Sequence, residues 1–263
     1  MIDRFFLRAV KVCWVTLATG ILLLAVLITA IKYALPLADD YKSNIESYVF
    51  DNYGAKISIG EIGASWQTSG PVVTLYDLSL EPSAKAPLDI SIAETQLKVN
   101  FWQSLMQQRF VSESFVLDGV QSKINSEVFY QIRPNSGGSQ LLDNLSHLFL
   151  SQLHAFKLIN SDIQVRHKNG KTQKYHLESL NWINSNNKHQ ANGNLYVDGF
   201  SNNSISFIAD LYGNRRESIF GQVYFEASQM DVSPWLMQLI DEHVELSSTQ
   251  ANFKAWGEIK MAW

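Results

Sequence analysis

The feature that most constrains this chain is an uncharged stretch of twenty residues near its N-terminus, Val12–Ile31 (VCWVTLATGILLLAVLITAI). Twenty apolar residues in an α-helix rise about 30 Å, which matches the hydrocarbon core of a bilayer. Arg4, Arg8 and Lys11 precede the stretch, and this excess of basic residues places the N-terminus in the cytoplasm. The sequence therefore predicts a single-pass helix over residues 12–34, with the rest of the chain on the far side of the membrane.

A cleaved secretory signal is the competing interpretation of the same stretch. Such signals have an apolar region of about 7–15 residues, followed by small residues at the cleavage site. Here the apolar run is longer, and Ile28-Thr29-Ala30 is the nearest approach to a cleavage site. Length and flanking residues therefore favour an uncleaved anchor.

From Lys56 onward the apolar residues recur at every second position, which is typical of β-strands with one apolar face. The alternation changes parity after Gly60, and a second change puts Tyr76 in one set with Leu78 and Leu80. Changes of this kind indicate β-bulges, and repeated bulges bend a sheet. We expect a mainly β fold with short helices, in which a bent antiparallel sheet follows the membrane helix.

Short helices interrupt the β pattern. Apolar spacing predicts them over residues 37–52, 102–108, 139–149 and 234–243. The first is expected to close the end of the sheet rather than to lie on the membrane. Asn169-Gly170 predicts a hairpin between two strands.

The sequence divides into four parts. A cytoplasmic N-terminus (1–11) and the membrane anchor (12–34) are followed by a helix with a first β section (35–134). The Gly/Ser-rich break at 135–139 then opens a helix with a second β section (135–263). Because the final alternation stops without a turn or a charged tail, we expect the chain to be the front part of a longer protein.

The sequence contains no motif typical of a catalytic, metal-binding or phosphate-binding site. The six histidines have no spacing typical of a metal site, and His147 and His154, seven apart, are interpreted as solvated helix residues. Neither a nucleophile elbow nor a phosphate-binding glycine loop is present. The net charge of -4 gives no electrostatic reason to expect nucleic acid. We expect no catalytic, metal or cofactor site.

The cleanest alternation marks candidate residues for an apolar inner face. These are Ile205, Phe207, Leu211, Val223 and Phe225. Such a face could be the closed core of a sandwich or barrel, or an open groove that holds acyl chains, and the pattern alone leaves both possibilities. The outward set between these residues is also partly apolar: Ile208, Tyr212, Phe220 and Tyr224.

Three stretches resemble the N-terminal region of the YhdP family of AsmA-like proteins. They are ALPLADDYKSNIESYV at residues 34–49, KISIGEIGASWQTSGPVVTLYDLSL at 56–80, and FWQSL at 101–105. The family is similar to bridge-like lipid transfer proteins. The resemblance covers residues 10–120 well and the remainder loosely.

This resemblance implies a periplasmic domain anchored in the inner membrane of a Gram-negative bacterium. Family members are implied to carry phospholipid between inner and outer membranes along a hydrophobic groove, without enzymatic activity or a cofactor. The implied partners are phospholipid and the inner membrane, besides envelope proteins that the resemblance does not name. The alternative is an anchored scaffolding β-domain that assists envelope assembly without bound lipid.

Overall fold

In the part of the chain that the structure describes, one long helix is followed by a single sheet of eleven strands. The structure is a computed structural model. It describes residues 2–53, 55–67, 70–82, 89–108, 111–125, 143–144, 146–166, 170, 172–198, 204–215, 218–231 and 250–260.

The helices lie mainly before the sheet. They are α1 (Ile2–Ala34), a 3-10 helix (Leu35–Tyr41), α2 (Lys42–Tyr53), α3 (Phe101–Gln107) and a π-helix (Leu148–Gln152). The strands are β1 (Ile57–Ser58), β2 (Glu61–Gln67), β3 (Gly70–Leu80), β4 (Asp89–Val99), β5 (Ser112–Asn125), β6 (Ala155–Arg166), β7 (Thr172–Ser185), β8 (Lys188–Val197), β9 (Ile205–Tyr212), β10 (Phe220–Asp231) and β11 (Gln250–Lys260).

Helix α1 contains one segment, Lys11–Ala30, that is long and apolar enough to cross a membrane. None of this segment is buried against the rest of the described chain. Its polar side chains are satisfied within the helix, since the hydroxyls of Thr19 and Thr29 donate to the carbonyls of Val15 and Ala25 at 2.8 Å. Apart from Lys11 at its start, the segment therefore presents mainly apolar groups and internally bonded hydroxyls to its surroundings.

The sheet is open and its strands follow chain order. From β3 to β11 each strand pairs with the next, while β1 and β2 pair with the outer side of β3. All pairs are antiparallel except β5 and β6, which are parallel. The expected antiparallel sheet is thus mixed at one place. The reason is the long connection between these two strands, residues 126–154, because a parallel pair needs a crossover of a dozen or more residues.

The β1–β2 edge is covered by the helices that follow α1. Asp39 accepts a hydrogen bond from the backbone N–H of Ile62 (2.9 Å), and Glu46 accepts one from Ile59 (2.8 Å). Lys42 donates to the carbonyl of Gly60 (3.0 Å). These side chains satisfy backbone groups that an edge strand leaves unpaired. The expectation that this helix closes the sheet end is confirmed, although it starts as a 3-10 helix.

A line of irregular residues crosses several neighbouring strands. Asp77, Gly119 and Asn160 all have left-handed backbone conformations, with φ of 51°, 67° and 49°. A Cβ on Gly119 would meet the Cβ of Ala93 at 2.9 Å, and the β7–β8 register shifts beside Glu178. At this line two consecutive residues of each strand point to the same face, so the alternation restarts.

Several sequence expectations can be compared with these elements. Helix α3 confirms the helical turn at 102–108, and Arg166 pairs with Thr172 on either side of the expected hairpin. Residues 143–144 and 146–152 are helical, as expected for the end of the 139–149 segment. The break at 135–139 and the helix at 234–243 lie outside the described residues.

Candidate functional site

One face of the sheet carries apolar side chains from edge to edge. Residues directly opposite each other on paired strands point to the same face, so the pairing register fixes the composition of each face. One transverse row crosses ten strands and carries no formal charge. It consists of Ile62, Leu75, Thr95, Leu117, Leu158, Leu180, Gly193, Phe207, Phe225 and Ala255.

A second transverse row lies on the same face, beyond the line of irregular residues. On β3 to β5 it consists of Leu78, Ile92 and Val120, and on β6 to β11 it consists of Ser161, Leu177, Leu195, Ile205, Ala227 and Phe253. The two rows define what we call the apolar face. Nine strand spacings of about 4.8 Å make the first row roughly 43 Å long.

The apolar face is not sealed by a second layer within the described residues. Leu75, Leu158, Phe207 and Phe225 are only half-buried, although a closed core would bury each of them. Phe253, near the β11 edge, is exposed. Other members of the two rows are buried, namely Ile62, Thr95, Leu117 and Gly193 in the first row and Val120, Ser161, Leu177 and Ala227 in the second. The face therefore retains apolar surface that a ligand can cover.

All five candidate residues from the sequence lie on this side of the sheet. Ile205, Phe207 and Phe225 belong to the two rows, and Phe207 is opposite Phe225 with ring centroids 6.4 Å apart. Leu211 is buried and packs in one cluster with half-buried Val223. The structure thus brings these residues together on one side of β9 and β10.

The opposite face of β9–β11 is partly aromatic, as the outward set predicts. Ile208 lies opposite Tyr224, which lies opposite Trp256, and Tyr212 lies opposite Phe220. Tyr212 stacks on Phe220 at 5.5 Å, and Trp256 is 74% exposed. We call these five residues the outer aromatic patch.

Tyr76 contradicts the sequence interpretation. It was expected to share a face with Leu78 and Leu80, but it pairs with Glu61 and Glu94 on the polar face and is exposed. The reason is the position of the irregular residue. The parity changes at Asp77, one residue after the place that the apolar pattern suggests.

Cross-strand ion pairs among the described residues lie on the polar face. Lys254 lies 3.2 Å from Glu226, which also accepts a hydrogen bond from Tyr224 (2.9 Å). The Tyr224 hydroxyl and then Lys254 lower the pKa of the Glu226 carboxyl. A hydrogen bond from Gln190 is the main cause that lowers the pKa of Asp210. Opposite charges are thus matched away from the apolar face.

A buried polar network lies at one end of the apolar face and was not predicted. His189 is fully buried, with Nδ1 2.6 Å from Oδ1 of Asn184 and Nε2 2.7 Å from the carbonyl of Gly213. The Asn184 amide also donates to the carbonyls of Phe149 and Leu153, both at 2.6 Å. The sequence signal was only a His in an alternating strand, which is ambiguous by itself. The network ties the π-helix to the β7–β8 hairpin.

Within the described part of the chain, no three His, Cys, Asp or Glu residues are grouped so that they could hold a metal ion. The two rows of the apolar face form an extended, uncharged surface, with the buried polar network of Asn184 and His189 at one end. Its chemistry is burial of apolar groups, for which no reacting side chain is needed.

Comparison with known proteins agrees with this architecture. The family model of the YhdP protein matches residues 1–262. The chain belongs to the YhdP family. The intermembrane phospholipid transporter YhdP of Escherichia coli (strain K12) is 24% identical over 250 residues, which cover 92% of this chain.

The match covers 19% of the Escherichia coli protein, so this YhdP-family chain spans about a fifth of the length of that relative. Family membership and the apolar segment of α1 agree with a membrane-associated protein of mainly β structure. The resemblance found in the sequence is confirmed, and it extends over nearly the whole chain.

Proposed function

We propose that this chain is the membrane-anchored entrance of a conduit for phospholipid. The observation that carries the proposal is the first row of the apolar face, which crosses ten strands without a charge and remains half-exposed at Leu75, Leu158, Phe207 and Phe225. The similar Escherichia coli protein is named an intermembrane phospholipid transporter, which supports the same function here.

The proposed mechanism is passive burial. Acyl chains lie along the apolar face while the headgroup stays in water, and each buried methylene contributes about 0.8 kcal/mol. Because this contribution is not directional, a lipid can move from one strand to the next without breaking specific bonds. We assign the lining to Ile205, Phe207, Leu211, Val223 and Phe225. No enzymatic step is part of the proposal.

The proposed location follows from α1. Residues 1–11 lie in the cytoplasm, residues 12–34 span the inner membrane, and the two β sections, 35–134 and 135–263, form one periplasmic unit. Arg4, Arg8 and Lys11 support this orientation. A row of roughly 43 Å is longer than a bilayer core of about 30 Å, but it is short for a path between two membranes. The chain therefore serves as the first part of the path.

The test compares the bound lipid of two variants that carry new charges on opposite faces of the same strands. The full chain and the double variant Phe207→Asp/Phe225→Asp are purified in detergent, and bound phospholipid is measured by mass spectrometry. We expect the variant to lose its lipid, because two carboxylates on the apolar face must be desolvated when acyl chains cover them.

The matched control is Ile208→Asp/Phe220→Asp, which places the same charges on the same strands but on the exposed outer face. It should retain the wild-type lipid content. Circular dichroism establishes that both variants keep the sheet. A folded Phe207→Asp/Phe225→Asp variant with undiminished lipid would contradict the proposal.

A second candidate function is an anchored scaffold that binds envelope proteins. The outer aromatic patch favours it, because Trp256 and Ile208 expose large apolar side chains on a face that otherwise carries matched charges. This function predicts wild-type chain without bound lipid. The same mass-spectrometric measurement therefore separates the two candidates.

A further inference from the structure

The short helix α3 is oriented with its apolar side chains outward. Trp102 and Leu105 are each 49% exposed and Met106 is 84% exposed. Gln103 and Gln107 are also exposed and border a polar cavity that is shared with the π-helix, while Phe101 and Ser104 are half-buried. An ordinary surface helix has the opposite arrangement, with its apolar stripe toward the protein. The outward apolar side of α3 therefore needs an explanation outside the described chain.

This orientation is held by specific bonds at the first turn and at the centre of α3. Asn100 caps the first turn, since its Oδ1 accepts from the backbone N–H of Gln103 at 3.0 Å. The Ser104 hydroxyl donates to the carbonyl of Asn100 (2.7 Å) and accepts from the N–H of Val111 (3.0 Å). These bonds fix the helix to the residue before β5. The outward orientation of its apolar side chains is therefore determined by the fold.

The outward face of α3 is continuous with the apolar face of the sheet. The ring of Trp102 contacts Phe101 (5.3 Å between centroids), and Phe101 contacts Trp66 (5.2 Å). Trp66 shares its side of β2 with Ile62, four residues earlier, a separation of about 13 Å along the strand. A line of aromatic rings thus leads from the surface of α3 to the apolar side of β2, about 13 Å along that strand from the first row.

The same strand is tied to the membrane anchor. Ile62 donates its backbone N–H to Asp39 of the 3-10 helix, which directly follows α1. Helix α3 therefore stands near a strand that is hydrogen-bonded to the segment directly after the anchor. It also contains no charged residue. Uncharged helices that expose Trp, Leu and Met suit the boundary between headgroups and acyl chains.

We propose that Trp102, Leu105 and Met106 dock on the surface of the bilayer that holds α1, where acyl chains pass over Phe101 and Trp66 onto the apolar face. The occupant of this surface is a phospholipid membrane. The inference rests on the proposed function for the direction of transfer, while the docking itself depends only on the anchor. It gives the conduit a defined entry beside α3.

The docking is tested by spin labels in the full chain, reconstituted in vesicles of phosphatidylethanolamine and phosphatidylglycerol. Cys13→Ser removes the single cysteine, and labels are attached at Met106→Cys, at Leu22→Cys in α1, and at Asn192→Cys on the polar face. The accessibility of each label to oxygen is compared with its accessibility to a water-soluble nickel chelate, and the ratio reports the depth of the label in the bilayer. In its relative accessibility to the two reagents, the label at 106 should resemble the label at 22 more than the label at 192.

Two results would overturn the docking. A label at 106 as accessible to nickel as the one at 192, while the label at 22 is in lipid, means that α3 faces water. A label at 106 shielded from both reagents means that a protein covers α3. In both cases the anchor remains, so the failure concerns α3 alone.

Transfer is tested with the triple variant W102Q/L105Q/M106Q. Uptake of fluorescent phospholipid from vesicles should be slower by on the order of tenfold, because three apolar side chains no longer hold the helix on the bilayer. Uptake from detergent micelles should stay unchanged, since it needs no docking. The matched control I208Q/Y212Q/F220Q changes three side chains of the outer aromatic patch and should take up lipid at the wild-type rate from both sources.

A triple variant that loads from vesicles as fast as wild type would overturn the entry beside α3. If wild-type chain takes up lipid from neither source, the proposed function fails, and the spin-label depths still decide whether α3 docks. The two failures are therefore distinguishable.

Discussion

Oδ1 of Asn184 lies 2.6 Å from Nδ1 of His189, inside the end of the apolar face where β7 turns into β8. The same oxygen accepts a hydrogen bond from the indole N–H of Trp182 at 2.7 Å. The amide nitrogen of Asn184 donates to the carbonyl of Phe149 within the π-helix and to that of Leu153 directly after it. One side chain therefore joins the sheet, a buried ring and the crossover connection.

Replacing Asn184 by Leu should lower the free energy of unfolding by about 3 kcal/mol, because buried donors and acceptors lose their partners. The measurement is guanidinium unfolding of the full chain in detergent, followed by near-ultraviolet circular dichroism of the tryptophans. Trp182 should show the change directly, since it stacks on His189 at 6.0 Å.

Asn181→Leu is the matched control for Asn184→Leu. Asn181 lies on the same strand but on the polar face, where its amide bonds the exposed Asn192 at 3.0 Å. Its replacement should stay within about 0.5 kcal/mol of wild type, as exposed substitutions usually do. Equal destabilisation by both variants would show that the buried network is not what the fold depends on.

The faces of the C-terminal strands could be predicted from the sequence because their alternation is unbroken over Ile205–Tyr212 and from Phe220 to Ala227. Ile205, Phe207 and Phe225 share one face, and Ile208 and Phe220 share the other, as the period of two requires. A regular strand has only two faces, so a few consecutive residues are enough to assign each side chain to one of them. The membrane segment and α3 were also predictable from local spacing.

The parity changes were detected but partly misassigned. The sequence interpretation associated them with glycine, yet two of the residues with left-handed φ in the line across the sheet are Asp77 and Asn160. Asp and Asn tolerate this conformation better than other side chains, but they do so at many surface positions, so the residue type is a weak signal. Tyr76 was placed on the wrong face for this reason.

The parallel pairing of β5 and β6 could not be predicted from the strands themselves. Leu117 and Leu158 would share a face in either orientation, and the choice depends on the connection between the strands. The buried contacts of Asn184 also join residues more than thirty positions apart. Long-range pairing of this kind leaves no periodic trace in the sequence.

Gly193 lies beneath the ring of Phe207, so its substitution links stability to the apolar face. A Cβ at this position would overlap the carbonyl oxygen of Ser179 and approach the Phe207 ring to 2.8 Å. Gly193→Ala should cost about 1–3 kcal/mol, as overpacking does, and should displace the ring. Thermal unfolding measures the loss of stability. The content of bound phospholipid shows whether displacement of the Phe207 ring alters the apolar face.

Gly63→Ala is the control for Gly193→Ala, because its Cβ would find its nearest neighbour at 3.6 Å, an ordinary contact. This variant should be close to neutral in stability and unchanged in lipid content. If Gly193→Ala were also neutral in both measurements, the close packing of Phe207 on β8 would not constrain the face.

The Tyr224–Glu226–Lys254 cluster gives the stability a predictable pH dependence. The pKa of Glu226 is lowered from 4.5, first by the Tyr224 hydroxyl and then by Lys254. The ionised carboxylate therefore stabilises the fold at pH above 4.5, and this contribution is lost as pH falls through the lower folded pKa. Glu226→Gln should be less stable than wild type near neutral pH, and the difference in melting temperature should shrink in acid.

Tyr224→Phe separates the two causes that lower the pKa of Glu226. It removes the hydroxyl that is the larger cause of the lowered pKa of Glu226 and leaves Lys254 in place. The acid loss of stability should therefore begin at higher pH, closer to 4.5, than in wild type. A pH profile that is the same in Tyr224→Phe and wild type would be incompatible with this assignment.

The covering of the β1–β2 edge should protect the chain from self-association. Asp39→Ala leaves the N–H of buried Ile62 without its acceptor, at a cost of about 1–3 kcal/mol, and Glu46→Ala does the same at Ile59. An unpaired edge is a template for another strand, so the double variant should also associate with rising concentration. Hydrogen exchange at these two amides and analytical ultracentrifugation measure the effects. Asp40→Ala alters an exposed neighbour and should change neither. Unaltered exchange in the double variant would mean that the packing of the helices, rather than the two carboxylates, closes this edge.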